Sequence, residues 1–182
     1  MPAKPGPRGR VITWRRPAVE GLTNVNAFDN AAWTKNNVTI SADTTNNPSG
    51  QLMADSVVEG SAVASAHSVT QVITLTSLTD AVTTRASVSA KQAGRTWIRF
   101  AIFNQSKFAW FNIGTGVVGT ALGCTSSITA ESNGFYRLEL AWTITKSTAP
   151  EFDIMVTDSD WGGTINGNGT TAAYLCAASV TQ

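Results

Sequence analysis

Residues 134–144 alternate. Tyr136, Leu138, Leu140, Trp142 and Ile144 occupy one parity, and Arg137, Glu139, Ala141 and Thr143 the other. Successive side chains of an extended strand point to opposite faces, so this run places one oily face on a core and leaves the other wet. A helical period would scatter the same residues around a cylinder. The stretch is expected as a central strand of an antiparallel sheet. Val82 to Ala90 repeats the pattern, with Val82, Ala86, Val88 and Ala90 opposed to Thr83, Arg85, Ser87 and Ser89. From Trp97 to Phe103, Ile98, Phe100 and Ile102 face inward, and Trp97, Arg99 and Ala101 outward. Phe108 to Ile113 turns Phe111 and Ile113 in and Trp110 out, and Glu151 to Thr157 sets Phe152, Ile154 and Val156 against Glu151, Asp153 and Met155.

Shorter strand-like runs cover 37–41, 52–58, 67–75, 127–130 and 173–180. Asn, Asp, Gly and Pro clusters punctuate them, among them Thr44 to Gly50 and the long run Asp158 to Thr170. In Leu22 to Lys35, Phe28 and Trp33 are expected to plug one end of the core. About ten strands at this spacing, with no helical periodicity, predict an all-β fold, an antiparallel β-sandwich of jelly-roll type with an extended N-terminal arm.

Composition separates that arm from the rest. Four of the six prolines and five of the 13 basic groups fall within residues 1–17, which carry no acid. Eight basic groups remain against 12 acidic ones. The expected division is therefore an extended arm over 1–21 and a sandwich over 22–182. Proline removes backbone donors, so the arm suits neither a helix nor a central strand. Within it Val11, Ile12 and Trp14 are strand-like and apolar, and Arg8, Arg10, Arg15 and Arg16 surround them with charge. The combination suits docking onto a larger, acidic protein surface by strand addition, with a salt-sensitive grip. It does not suit specific nucleic-acid recognition, because aromatic interleaving is limited to Trp14. No apolar run is long enough for a membrane helix. Cys124 and Cys176 make no disulfide framework; Cys176 reads as a small buried hydrophobe, and a bond between the two stays open.

Candidate chemistry is sparse. Any Ser-His-Asp or Cys-His arrangement would rest on the single histidine, His67, which opens a strand with no nucleophile motif nearby. Glu139 and Asp153 both point away from the core, but two acids on wet strand faces are ordinary, and no catalytic residue is assigned. Asp158, Asp160, Asn166 and Asn168 have the oxygen spacing of a calcium loop without its distal bidentate Glu, so a plain Asx-rich turn is expected and no metal or other cofactor. Trp97, Arg99 and Trp110 share outward parity, and Arg85 and Arg137 are candidates for the same face. Flat rings beside Arg suit stacking on sugars, acidic ones included; they suit a subunit interface equally well.

Several stretches resemble one family. Asn24 to Lys35 is similar to the opening of a jelly-roll module found in tailed-bacteriophage virion proteins, described as head spikes or fibres and similar to the carbohydrate-binding modules of glycanases. Residues 87–91, 111–119, 134–138 and 173–178 continue the resemblance in order. It implies a non-enzymatic virion structural protein, such as a capsid decoration or head fibre component. The arm would anchor it to capsid or other virion proteins, and it would form a homo-oligomer, a trimer being favoured. The alternatives are a module binding host-surface glycan during adsorption and, less favoured, a small glycoside hydrolase.

Overall fold

The computed structural model describes residues 21–74 and 79–182. The expected anchor residues Arg8, Arg10, Val11, Ile12, Trp14, Arg15 and Arg16 lie outside them. Among the described residues there are twelve strands. These are β1 (Thr34–Asn36), β2 (Val38–Asn46), β3 (Leu52–Glu59), β4 (Ser68–Val72), β5 (Thr83–Gln92) and β6 (Trp97–Ile102), then β7 (Lys107–Asn112), β8 (Val117–Leu122), β9 (Thr125–Ala130), β10 (Tyr136–Thr143), β11 (Glu151–Thr157) and β12 (Thr171–Thr181). The only helical pieces described are 3₁₀ turns at Phe103–Gln105 and Ser132–Gly134.

The strands form two six-stranded antiparallel sheets. The first runs β1-β4-β11-β6-β7-β8 and the second β2-β3-β12-β5-β10-β9. The all-β sandwich expected from the alternation is what the structure shows. Leu138 and Leu140 of β10, Val88 of β5, Phe100 of β6 and Phe152 of β11 are fully buried between the sheets. Removing each such side chain from water stabilises the fold by roughly 1.5–3 kcal/mol. β10 is an interior strand but not the middle one: it lies second from the edge, between β5 and β9.

Two strands escaped the sequence pattern. β1 is three residues long, and β8 carries Gly119, with only partly buried or exposed side chains along its length. Both matter to the architecture because each is followed by a crossing between sheets. After β1 the chain turns through Asn37, at φ 53°, into β2 of the other sheet. After β8 it turns through Gly123, at φ 64°, into β9 of the other sheet. The sandwich is therefore stitched along both sides.

Residues 21–33 close one end, as expected of Phe28 and Trp33, which are buried with ring centroids 4.6 Å apart. Two buried polar side chains hold this segment. Gln71 accepts from the Thr23 amide at 2.8 Å and donates to the carbonyls of Thr23 and Ala32. Asp55 accepts from the Phe28 amide at 2.7 Å and from the Asp43 amide at 2.9 Å, tying the plug to the bulged edge strand β2.

Candidate functional site

The outward faces of the two sheets differ, and the expected site residues divide between them. Trp97, Arg99 and Trp110 lie outward on β6 and β7 of the first sheet, as their parity required. Arg85 and Arg137 lie on β5 and β10 of the second sheet, so they cannot share a face with the tryptophans. Parity distinguishes in from out but not one sheet from the other. The same division separates Glu139 on β10 from Asp153 on β11, so these acids face away from each other across the whole sandwich and cannot flank one bond.

On the second sheet Arg137 has a local task. β12 carries a bulge between Cys176 and Ser179, with Ala177 at φ 52°. The Arg137 guanidinium donates to the Ala177 carbonyl at 2.8 Å and to Ser89 Oγ at 3.2 Å, satisfying a backbone group that the bulge takes out of the ladder. Arg85 is exposed and borders a shallow hollow of about 150 Å³ with Glu139 and Ser127. Cys176 lies beneath this face with Ala54 and Phe135, unbonded to Cys124, and burial pushes its thiol up to about 12.

The first sheet's outer face has more relief. A trough of about 470 Å³ crosses it, floored by β4, β11 and β6. Its bed presents Ser68, Thr70, Met155, Glu151 and Asp153, with Arg99 at one side. Phe103 of the 3₁₀ turn borders it, and Gly163 and Thr164 of the loop after β11 border it too. Arg99 is held from three sides. It pairs with Asp153 at 3.1 Å, and its guanidinium lies 5.8 Å from the Phe103 ring centre and 5.7 Å from that of Phe108. Asp153 is buried, which raises its carboxyl above the usual Asp value, while Arg99 pulls the other way.

Aromatic rings run beside the trough in a continuous line. Phe103 meets Phe108 edge-on at 6.1 Å, Phe108 lies 6.3 Å from Trp110, and Trp110 stacks on Trp161 at 5.0 Å with 29° between planes. Trp110, the ring expected to present itself, is 6% exposed; Trp161 covers it and is itself 57% exposed. The sequence reading missed Trp161, which sits in the Gly/Asn/Asp run read as a plain turn. Its turn is closed by the Gly162 amide donating to the Ser159 carbonyl at 3.0 Å, and it places Trp161 at φ 67°. Bulky residues rarely adopt that region, and strain of this kind gathers at binding sites.

Three anchors hold the strained turn. Trp110 Nε1 donates to the Gly162 carbonyl at 2.8 Å. The Asp160 carboxylate accepts from the Thr120 amide at 2.8 Å and from its hydroxyl at 3.1 Å. This approach depends on Gly119: a Cβ there would sit 2.5 Å from Asp160 Oδ1 and 2.7 Å from the Trp97 ring. The third anchor is Arg95, which pairs with Asp158, donates to the Asn166 carbonyl at 2.8 Å and binds the buried Glu59 at 2.7 Å. Glu59 also accepts from the Asn168 amide at 3.1 Å. Burial would raise Glu59, but Arg95 and the Asn168 amide together hold it below the usual Glu value. The loop's acidic and amide oxygens thus accept from protein donors: Asp158 from Arg95, Asp160 from Thr120, Asn166 from the Ala64 amide, Asn168 from Thr170. That is the behaviour of an Asx-rich structural loop rather than of an open cation cage. His67 is buried behind the loop, with Nε2 3.2 Å from the Ala62 carbonyl.

The site therefore sets a bed of hydroxyl and carboxylate groups, bordered by the exposed Phe103, beside a line of rings that ends in the exposed Trp161. Ring faces beside convergent hydrogen-bonding groups suit a polyhydroxylated ligand whose flat sides are apolar.

No family model matches the chain, and no curated protein matches it by sequence. Among solved structures, the enzymatically active domain of tailspike protein 4 from bacteriophage CBA120 is similar over 90% of this chain, with a TM-score of 0.53 and 14% identity. A xylanase 10B structure from Clostridium thermocellum, comprising its CBM22-1 and GH10 modules with xylohexaose, aligns over 85% at 12% identity with a TM-score of 0.43. The aligned region spans 21% of the tailspike chain and 26% of the xylanase chain. The likeness to the tailspike domain is one of fold.

Proposed function

We propose that this protein is a non-enzymatic carbohydrate-binding jelly roll carried on a bacteriophage particle, where its trough engages host-surface glycan. The observation that carries the reading is the strained, exposed Trp161 stacked on Trp110, on the same outer face as a polar-bedded trough that its loop borders through Gly163 and Thr164. A hydrophobic ring held out of the core in a costly backbone conformation is explained by a ligand that stacks on it. Three independent anchors fix the ring in place, so little freedom is lost when a ligand arrives.

The particle context is supported by the phage-module resemblance of residues 24–35 and by the fold shared with a phage tailspike domain. In this reading residues 1–21 attach the sandwich to a virion protein and copies assemble as a trimer. Deleting residues 2–16 then releases the protein from particles while its sandwich still folds. Retention of the truncated protein on particles overturns the attachment.

A glycan array probed with the intact protein tests the binding. Specific hits are expected, lost in Trp161→Ala and weakened in Phe103→Ala, with thermal unfolding unchanged in both. An array blank for the intact protein, or hits indifferent to Trp161→Ala, overturns the trough as the site. Release of reducing ends from a bound glycan, abolished by Glu151→Gln, overturns the non-enzymatic part.

A further inference from the structure

The sequence alone suggests that outward Arg side chains on this face would favour acidic sugars. The geometry points the other way. Arg99 is the one basic residue lining the trough among the described residues, and its charge is engaged: Asp153 accepts from it at 3.1 Å, the Phe103 and Phe108 ring centres lie 5.8 and 5.7 Å away, and its Nε is buried without a hydrogen-bond partner. Two other cations among the described residues are likewise engaged. Arg95 is held by Glu59 and Asp158, and the Lys35 ammonium donates to the carbonyls of Asp29 and Asn30. Two carboxylates share the bed, and they are neighbours on one face of β11: Asp153 in its ion pair and Glu151, half-buried at the open end. Whether or not Asp153 carries its proton, the described residues that line the trough carry no net positive charge. With both acids ionised their net charge is negative.

Resting on the reading above, we infer that the trough selects uncharged glycans and rejects uronate- and sialate-bearing ones, with Glu151 as the residue that enforces the rejection. A sugar carboxylate laid along the bed would approach Glu151, and among the described residues lining the trough the one cation, Arg99, is already paired with Asp153. Like charges a few ångströms apart at a protein surface lower affinity by about tenfold. Discrimination by an unpaired like charge is a recognised route to specificity, distinct from added attraction. Neutral hydroxyl groups meet no such barrier, because the Thr70 and Ser68 hydroxyls are able to donate or accept and the Glu151 carboxylate to accept.

The test uses matched polysaccharides that differ only in whether the primary hydroxyl has become a carboxylate. Amylose, β-1,4-galactan and β-1,4-mannan, together with the strongest neutral hit from the array, are each compared with the derivative in which the primary hydroxyl is oxidised to carboxylate. Binding is followed by affinity electrophoresis and calorimetry on the full chain. The expected result is binding of at least one neutral polymer and about a tenfold loss for its carboxylate form. That gap narrows in Glu151→Gln and in about 0.5 M NaCl, where surface charges are screened. Equal or tighter binding of a carboxylate form overturns the inference and leaves the glycan-binding reading standing. A gap unchanged by both Glu151→Gln and salt marks a lost hydroxyl contact and also overturns it. Absence of binding to every polymer and to the array overturns the glycan-binding reading, and the inference with it.

Discussion

Replacing Arg95 by Met removes the cation from the cluster that anchors the Trp161 loop, at similar side-chain length. Glu59 has no side-chain exposure and Arg95 only 14%, so the variant leaves a carboxylate buried with the Asn168 amide as its remaining partner. Breaking a buried pair from one side costs about 3–5 kcal/mol. The lower end applies here, because Arg95 keeps some contact with water and Asp158 is 57% exposed and rehydrates freely. In a chain of this size about 3 kcal/mol lowers Tm by roughly 6–12 °C. The pH dependence is the sharper test. In the wild type Glu59 titrates below its ordinary value, so its contribution is present above that value and is lost as pH falls through the folded one. Without Arg95, burial opposes only the Asn168 amide and the more distant His67, and Glu59 is expected to titrate above its ordinary value. The variant's deficit is therefore largest near neutrality and shrinks towards pH 4, where Glu59 takes up a proton. Urea unfolding followed by tryptophan fluorescence at the two pH values measures both quantities, and Arg95→Met/Glu59→Gln should recover much of the loss. A deficit below about 1 kcal/mol at pH 7, or one that does not change with pH, refutes the claim that Arg95 neutralises a buried acid.

Two further perturbations probe the supports of the site. Asp55→Asn leaves one of the Phe28 and Asp43 amides without an acceptor, at about 1–3 kcal/mol. Asp55 titrates above its ordinary value because of burial, so the wild type weakens as pH rises through that folded value; the variant's deficit is expected to be larger at pH 4 than at pH 7 by urea titration. Gly119→Ala forces Asp160 and the Trp97 ring apart. It should cost about 1–3 kcal/mol and at least tenfold in glycan affinity, because the displaced loop carries Trp161; full affinity in that variant by calorimetry sinks the proposed link between β8 and the turn.

The interior could be read from alternation because each strand buries one face only. Leu138, Val88, Phe100 and Phe152 declared their inward parity, and the structure buries all four. β1 and β8 were silent for the opposite reason: neither carries a run of inward apolar residues long enough to show a period. The site was legible in part. Outward parity found Trp97, Arg99 and Trp110 but could not reveal that the loop after β11 folds over that face and buries Trp110. Nor could it separate Arg85 and Arg137, whose strands alternate identically but belong to the other sheet. Trp161 had a weaker signal: one large aromatic beside Gly162-Gly163 in a run of turn formers. Polar turn residues need no buried partner, so a tryptophan among them must either fold back or face outward. Only tertiary geometry shows that it does both, with one ring face on Trp110 and the other in water.

The crossings at Asn37 and Gly123 bear on how the trough responds to what it holds. A sandwich whose layers are joined through loops at their ends alone is free to shear. Here each flank is a hinge pin, and the bed of the trough belongs to a layer locked to its partner on both sides. Adaptation to different guests then falls to the Phe103 turn and the Trp161 loop, leaving the floor as a fixed template. Variation within those two rims would re-tune what is bound without disturbing the frame that carries them.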